Sequence, residues 1–294
     1  MADNPLPPFA LEPRHVRRAF EAKAAGLARQ DFLAREAASR MAERLDYIRH
    51  TPSRILDLGC GHGADLPLLA QHYPQAERLG LDVSLPLLHL APRAGGLLGR
   101  LFRREITPRL ICADASQLPL ATGSVDMVWS NLLLHWLPDP KPAFREMHRV
   151  LRTDGLLMFA TLGPDTLAEL RTVLPEHSLH RFIDMHDLGD DLVHAGFAAP
   201  VMDMQRITLT YPDFDSLLRE LRTASAGNAR ADRPHGLGRR ARWQAARETA
   251  ETLRQDGKLS LTVELVFGHA WRAAPRQIED GRAIIQLHRP VSSS

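Results

Sequence analysis

The chain lacks what would staple it together, carry it across a bilayer or bind it to nucleic acid by bulk charge. It has only two cysteines, Cys60 and Cys112, among 294 residues. That count argues against a disulfide framework or a zinc site and fits a reducing compartment. No continuous apolar run is long enough to span a bilayer, and no signal-peptide pattern is present. A cytoplasmic protein with no membrane partner is the expectation. The formal net charge is only +2, which speaks against a general nucleic-acid binder. No internal repeat is present. What the chain does have is 44% hydrophobic residues, enough at this length for one large core, or one core and a smaller lobe.

The rest is arranged around Ile55-Leu56-Asp57-Leu58-Gly59-Cys60-Gly61-His62-Gly63. Its apolar opening suits a parallel strand covered on both faces. Gly59, Gly61 and Gly63 allow a sharp turn and a close approach to a ligand where a Cβ would collide. Residues 64–72 are expected to be helical, so free N–H groups at their start would face the same ligand. A nucleotide-type cofactor is the natural occupant. Cys60 in this turn reads as a small packing residue, because no activating base stands beside it.

Further strand tips follow in order. Residues 78–83 end in Asp82 and Val83, about 20 residues after the turn, where an acid can hold ribose hydroxyls. Residues 110–115 bring Asp114 and Ala115 to a third tip, and residues 125–131 end a fourth strand at Ser130 and Asn131. Such tips form the crevice in which open α/β sheets bind ligands. Singly, each acid reads equally well as a helix cap, and a glycine as a strand end; the joint order argues for a site. NAD is disfavoured, since Leu66 stands where the helix-packing glycine of its fingerprint belongs.

Elsewhere the chain alternates helix and strand signals. Residues 1–13 are proline-rich and expected to be loose. Residues 15–48 have helical periodicity interrupted at Gly26, with Phe20, Leu27, Phe32 and Leu33 on the inward side. They are either a cover across the cleft or a plain packing helix. Ser84 is placed to cap a short helix. Residues 91–107 read as a basic loop with Arg100, Arg103 and Arg104. A helix over 142–151 presents Phe144, Met147 and Val150 inward, residues 152–155 form a turn, and 156–161 a fifth strand. Beyond Gly163, helices are expected after Pro164 and over 187–195, 213–224 and 243–255. Strands are expected over 201–211 and 259–271, with a Gly- and Arg-rich segment over 227–242 and a frayed tail after 272.

The motif order resembles the class I S-adenosylmethionine-dependent methyltransferases. The resemblance implies a Rossmann-like α/β sheet, mostly parallel with its last strand antiparallel, carrying a helical lid insertion. It implies S-adenosyl-L-methionine as cofactor, with Asp57, Gly59, Gly61 and Gly63 in the first motif, Asp82 and Val83 at the ribose, Asp114 and Ala115 at the adenine, and Asn131 nearby. The expected division is cover helices over 1–50, a cofactor-binding core over 51–163, lid and closing strands over 164–272, and a tail over 273–294.

A narrower resemblance rests on Trp129-Ser130-Asn131-Leu132 with His135-Trp136, on residues 163–171, on Asp184-Met185-His186-Asp187-Leu188, on Leu209-Thr210-Tyr211 and on Gly268-His269-Ala270-Trp271. These are similar to the malonyl-acyl-carrier-protein O-methyltransferases of biotin synthesis. The resemblance implies methylation of the free carboxylate of a malonyl thioester on acyl carrier protein, an acidic partner, in the branch leading to pimelate. Such a carboxylate is ionised at neutral pH, its pKa being ~4, so no general base is required. A cation to orient it is more useful, and Arg171, Arg230 and Arg239 are candidates, with Arg233 and Arg240 beside them. Clustered lid arginines would equally suit docking of an acidic carrier. His135 and Trp136 are the catalytic candidates; His135 is either a base, needed for a hydroxyl acceptor, or a pocket-lining side chain. Leu27 and Val263 stand where this group often has tyrosines. The lid motifs are also similar to those of the complex I assembly-factor arginine hydroxylases. A non-catalytic assembly protein and a quinone-type methyltransferase are likewise compatible with the sequence.

Overall fold

Strand β1 (Arg54–Leu58) is the axis of the molecule. Alternation along it sends Leu56 and Leu58 to one face of the sheet and Ile55 to the other, as the period of two requires. All three are fully buried. In the computed structural model, which describes residues 11–29, 31–91, 106–174, 179–224, 229–232 and 239–274, side chains are placed for all of these but 222–224 and 239–242.

The elements before the sheet are helices α1 (Pro13–Leu27) and α2 (Phe32–Leu45). After β1 come α3 (Leu66–His72), β2 (Glu77–Asp82), α4 (Leu85–Leu90), β3 (Arg109–Cys112) and β4 (Val125–Asn131). A single 3-10 turn, Leu134–Trp136, leads to α5 (Lys141–Val150) and β5 (Leu151–Leu162). The remainder is α6 (Ala168–Val173), α7 (Met185–His194), β6 (Ala198–Tyr211), α8 (Phe214–Ala224), α9 (Arg239–Glu251) and β7 (Leu259–Arg272). The seven strands form one sheet in the order β3-β2-β1-β4-β5-β7-β6. The first five are parallel, and β7 runs antiparallel to both β5 and β6. This is the mostly parallel α/β sheet with an antiparallel closing strand that the motif order implied. The order reverses at β1, between β2 and β4, so the crevice opens beyond the carboxyl ends of these strands.

Two layers cover the sheet. On one face, Phe144, Met147 and Val150 of α5 and Leu188 and Leu192 of α7 pack against Leu56, Leu58, Val128 and Leu157. On the other, Ala37, Ala38, Met41, Ala42 and Leu45 of α2 pack against Ile55, Met127, Trp129 and Met158. A third cluster lies at the far end of β6 and β7, where α6, α8 and α9 gather around Tyr211, Leu259 and Leu261. Helices α8 and α9 fall between the last two strands of the chain and make the lid. No helix among the described residues is long and apolar enough to cross a membrane.

Several local expectations are corrected. The segment 152–155 is not a turn but the bulged start of β5, with a register shift against β4 between Val125 and Met127 and Asp154 at φ 60°. The bulge puts Arg152 beside Asp126, at 2.6 Å, and Asp126 also accepts the N–H groups of Ser53 and Arg54. The 15–48 segment is two helices; Leu33 and Phe20 are partly buried against core clusters as expected, while the fully buried face of α2 is an Ala/Met stripe. Phe32 is 59% exposed, because it borders the cavity described below rather than the core. Ser84 precedes α4 without a side-chain capping bond; its backbone N–H donates to Asp82 instead. The helix expected from residue 243 starts earlier, at Arg239, inside the Gly- and Arg-rich segment. Residues 1–10, the Arg100, Arg103 and Arg104 loop, Arg233 and residues 275–294 lie outside the described residues.

Candidate active site

The β1 strand ends in a turn locked by its neighbour. Gly59 and Cys60 donate their N–H groups to Leu81 O, at 2.8 and 3.1 Å. Asp82, at the tip of β2, accepts the Gly61 N–H on Oδ2 at 2.9 Å and the Ser84 N–H on Oδ1 at 2.7 Å. The three glycines do different work. A Cβ at Gly59 would lie 2.9 Å from Leu133 Cβ, and one at Gly63 2.9 Å from Leu66 Cδ1. Gly61, at φ +54°, would meet nothing within 4 Å. Its bare face is open to the cavity, so apart from its left-handed backbone no protein contact requires a glycine there.

That cavity, of about 1480 Å³, runs from the strand tips under α1 and α2 to the lid. Asp57, Gly59, Gly61, Asp82, Val83, Asp114, Ala115, Asn131, His135 and Trp136 all line it. Gly63 does not; it serves packing against Leu66. Asp114 accepts both the N–H and the hydroxyl of Ser116 on Oδ1. Leu27 and Val263 are also in the wall, so an apolar surface occupies the places where tyrosines are common in the group the sequence resembles.

Arg171 and Arg230, two of the arginines expected to hold a carboxylate, are elsewhere. Arg171 turns its Nη2 onto the carbonyls of Pro164 and Thr166, at 3.2 and 3.3 Å, and does not line the cavity. Arg230 is buried and forks onto Asp232 at 2.7 and 2.5 Å. The side chains of Arg239 and Arg240 are outside the described residues.

Two acids in the site were not singled out in the sequence. Asp65, 7% exposed, accepts the Trp129 indole N–H at 2.8 Å and an Asn131 amide N–H at 3.0 Å. Asn131 gives another N–H to Ala34 O at 2.8 Å, joining the β4 tip to the cover helix α2. Asp31 lies near His62 and pairs with Arg35. The available signal was Trp129 itself, since a buried indole N–H needs an acceptor.

The electrostatics favour a cation. Asp57 is 2% exposed, and its Oδ2 has no partner. Burial, then the nearby Asp65 and Asp82, push its carboxyl well above the usual range. Burial also raises Asp65 and Asp82. Like charges and desolvation both oppose ionisation here, and a positive ligand would relieve both. The Cys60 thiol is pushed up by burial and then by Asp57, which leaves it protonated and inert.

His135 sits among the rings of Trp136, Phe182 and the neighbouring His180. Burial, then His180, lower it to about 3. Its Nδ1 lies 3.2 Å from Thr161 Oγ. Trp136 meets Phe20 of α1 edge-on at 5.2 Å, tying the cover to this wall.

A family model described as a methyltransferase domain matches residues 56–159, from β1 into β5. A candidate methyltransferase of solved structure from Bacillus halodurans superposes with a TM-score of 0.57 at 16% identity, over 81% of this chain and 99% of that one. The YcgJ protein of Bacillus subtilis gives 0.55 at 18% identity, over 82% and 99%. At such identities these likenesses speak for the fold alone. Sheet order, glycine turn and domain match together define an S-adenosylmethionine-dependent methyltransferase of the class I fold. Two curated malonyl-[acyl-carrier protein] O-methyltransferases are much nearer in sequence. That of Laribacter hongkongensis is 49% identical over 95% of this chain and 97% of its own length. That of Gallionella capsiferriformans is 47% identical over the same shares. The chain belongs to the malonyl-[acyl-carrier protein] O-methyltransferase family.

Proposed function

We propose that this protein transfers a methyl group from S-adenosylmethionine to the free carboxylate of a malonyl thioester on acyl carrier protein. The observation that carries the reading is the likeness to the named relatives across 95% of the chain, lid included. The cavity volume agrees with it. At about 1480 Å³ it exceeds the roughly 300–1,000 Å³ of a single-ligand pocket, leaving room for an acceptor beside a cofactor.

The residues fit the cofactor. Gly61 offers an open cradle, Asp57 an orphaned buried carboxylate oxygen, and Asp82 a carboxylate already oriented by two backbone N–H groups. In this reading Asp82 takes the ribose hydroxyls, Asp114 the adenine amino group, and Val83 and Ala115 the adenine ring faces. Asp57 and Asp65 favour the cationic methionine portion, with Asn131 fixing the turn against α2. When bound, S-adenosylmethionine supplies a sulfonium methyl open to in-line attack by a carboxylate oxygen.

No side chain has to remove a proton, because the acceptor carboxylate is ionised above its pKa of ~4. His135, held neutral by burial, lines the acceptor space instead of acting as a base. What the chain contributes is alignment and exclusion of water by the cover and lid. The four-part division into cover, core, lid and tail, a cytoplasmic location and a place in the pimelate branch of biotin synthesis go with this proposal. Incubation with labelled S-adenosylmethionine and malonyl-acyl carrier protein, followed by mass spectrometry of the carrier, should show one added methyl. Cofactor binding without transfer to the malonyl carrier would sink the reading.

A further inference from the structure

Among the described residues, the cations that face the cavity belong to the cover. Residues 13–35 hold Arg14, Arg17, Arg18, Lys23, Arg29 and Arg35 against only Glu21 and Asp31. That surplus exceeds the whole chain's +2, so the cover is a basic segment of a nearly neutral chain. Both acids are already used, Glu21 by Arg17 at 2.8 Å and Asp31 by Arg35 at 2.7 Å. Arg14, Arg18 and Arg29 are exposed and have no ion pair among the described residues. Arg14, Arg17, Arg29 and Arg35 are the only Lys or Arg side chains among the described residues that line the cavity. Being exposed as well, Arg14 and Arg29 stand at its mouth.

A thioester tethered to a protein constrains what meets that mouth. The acyl group reaches the strand tips while its carrier stays outside, so the rim must meet carrier surface. Unpaired cations on that rim suit an acidic surface, and complementary charge would both steer the encounter and set its orientation. We propose that Arg14, Arg18 and Arg29, on α1 and its C-terminal turn, form the docking face for an acidic surface of the carrier protein. This rests on the carrier-protein reading above, and it places docking on the cover helix.

The test measures binding of fluorescently labelled holo-acyl carrier protein to the full chain and to R14E/R18E and R29E variants, at low and moderate salt. Circular dichroism and S-adenosylhomocysteine affinity serve as controls for folding. The expected result is a Kd weakened about tenfold or more in R14E/R18E, with a shallower salt dependence than the wild type. R29E should show a smaller loss in the same direction. KM for malonyl-acyl carrier protein should rise in parallel, while KM for malonyl-pantetheine, which lacks the protein, changes less than about threefold. Equal losses on both substrates would mean that these arginines hold the acyl carboxylate, and would overturn the docking face. So would variants that bind the carrier as tightly as the wild type. Carrier binding by the wild type without methyl transfer, lost in R14E/R18E, would sink the proposed reaction and leave the docking face standing.

Discussion

Replacing Gly61 with alanine separates what the glycine turn does for the protein from what it does for a ligand. Gly61 has φ +54°, and a Cβ built there meets no heavy atom within 4 Å. The cost to folding is therefore only that of a left-handed conformation at a non-glycine residue, about 1–2 kcal/mol. For a chain of this size that corresponds to a Tm lowered by roughly 2–8 °C. The cost to binding is separate, because the new methyl projects into the cradle where the cofactor is proposed to lie. Overpacking a fitted contact by one methyl costs about 1–3 kcal/mol, or roughly 5- to 150-fold in Kd. Gly59→Ala is the contrasting variant. Its Cβ would sit 2.9 Å from Leu133 Cβ, so its main penalty falls on stability. Isothermal titration with S-adenosylhomocysteine and thermal unfolding of both variants make the comparison. A folded Gly61→Ala protein that binds within threefold of the wild type would refute the cradle.

Asp82→Asn loses one of the two backbone N–H bonds that fix the turn and the charge proposed for the ribose. Cofactor Kd should rise by roughly 10- to 100-fold, and calorimetry showing no change would remove Asp82 from the site. Trp129→Phe deprives buried Asp65 of its indole donor and should lower stability by about 1–3 kcal/mol in urea unfolding; a loss below about 0.5 kcal/mol would mean the bond is idle. Asp57→Asn tests the raised carboxyl. A raised pKa means the folded state binds the proton more tightly, so wild-type stability falls as pH climbs from ~4 through the folded value. The asparagine variant should therefore be the more stable apo-protein at pH 8, with the gap closing toward pH 4. A gap that does not vary with pH would refute the assignment. With His135 lowered to about 3, the pH profile of kcat/KM should show no limb near the ordinary imidazole value of ~6.5. A limb there that vanishes in His135→Gln would restore the base.

The likeness to the curated relatives extends through the lid, so the departures at Leu27 and Val263 lie within the family's length. Both side chains form the cavity wall, with Leu33 and Leu132 lining it nearby. The cavity wall on that side is consequently apolar. Trp136 against Phe20 adds an aromatic link between the wall and α1.

What could be read directly from the residues is local in origin. Strand β1, its glycine turn and the acids at successive strand tips are carried by side-chain period and by glycines with positive φ, and neighbours in the chain suffice for both. The inward face of α5 was legible for the same reason. The folded chain decided which distant groups meet. Trp129 and Asn131 come to Asp65 across more than sixty positions of sequence, and no local pattern marks that convergence. It also decided which arginines stay available. Arg171 and Arg230 are consumed by carbonyls and a carboxylate of the lid, while Arg14 and Arg29 remain at the cavity mouth. A guanidinium binds whatever acceptor the fold brings within reach, so residue type alone names a candidate and only its three-dimensional surroundings assign its work.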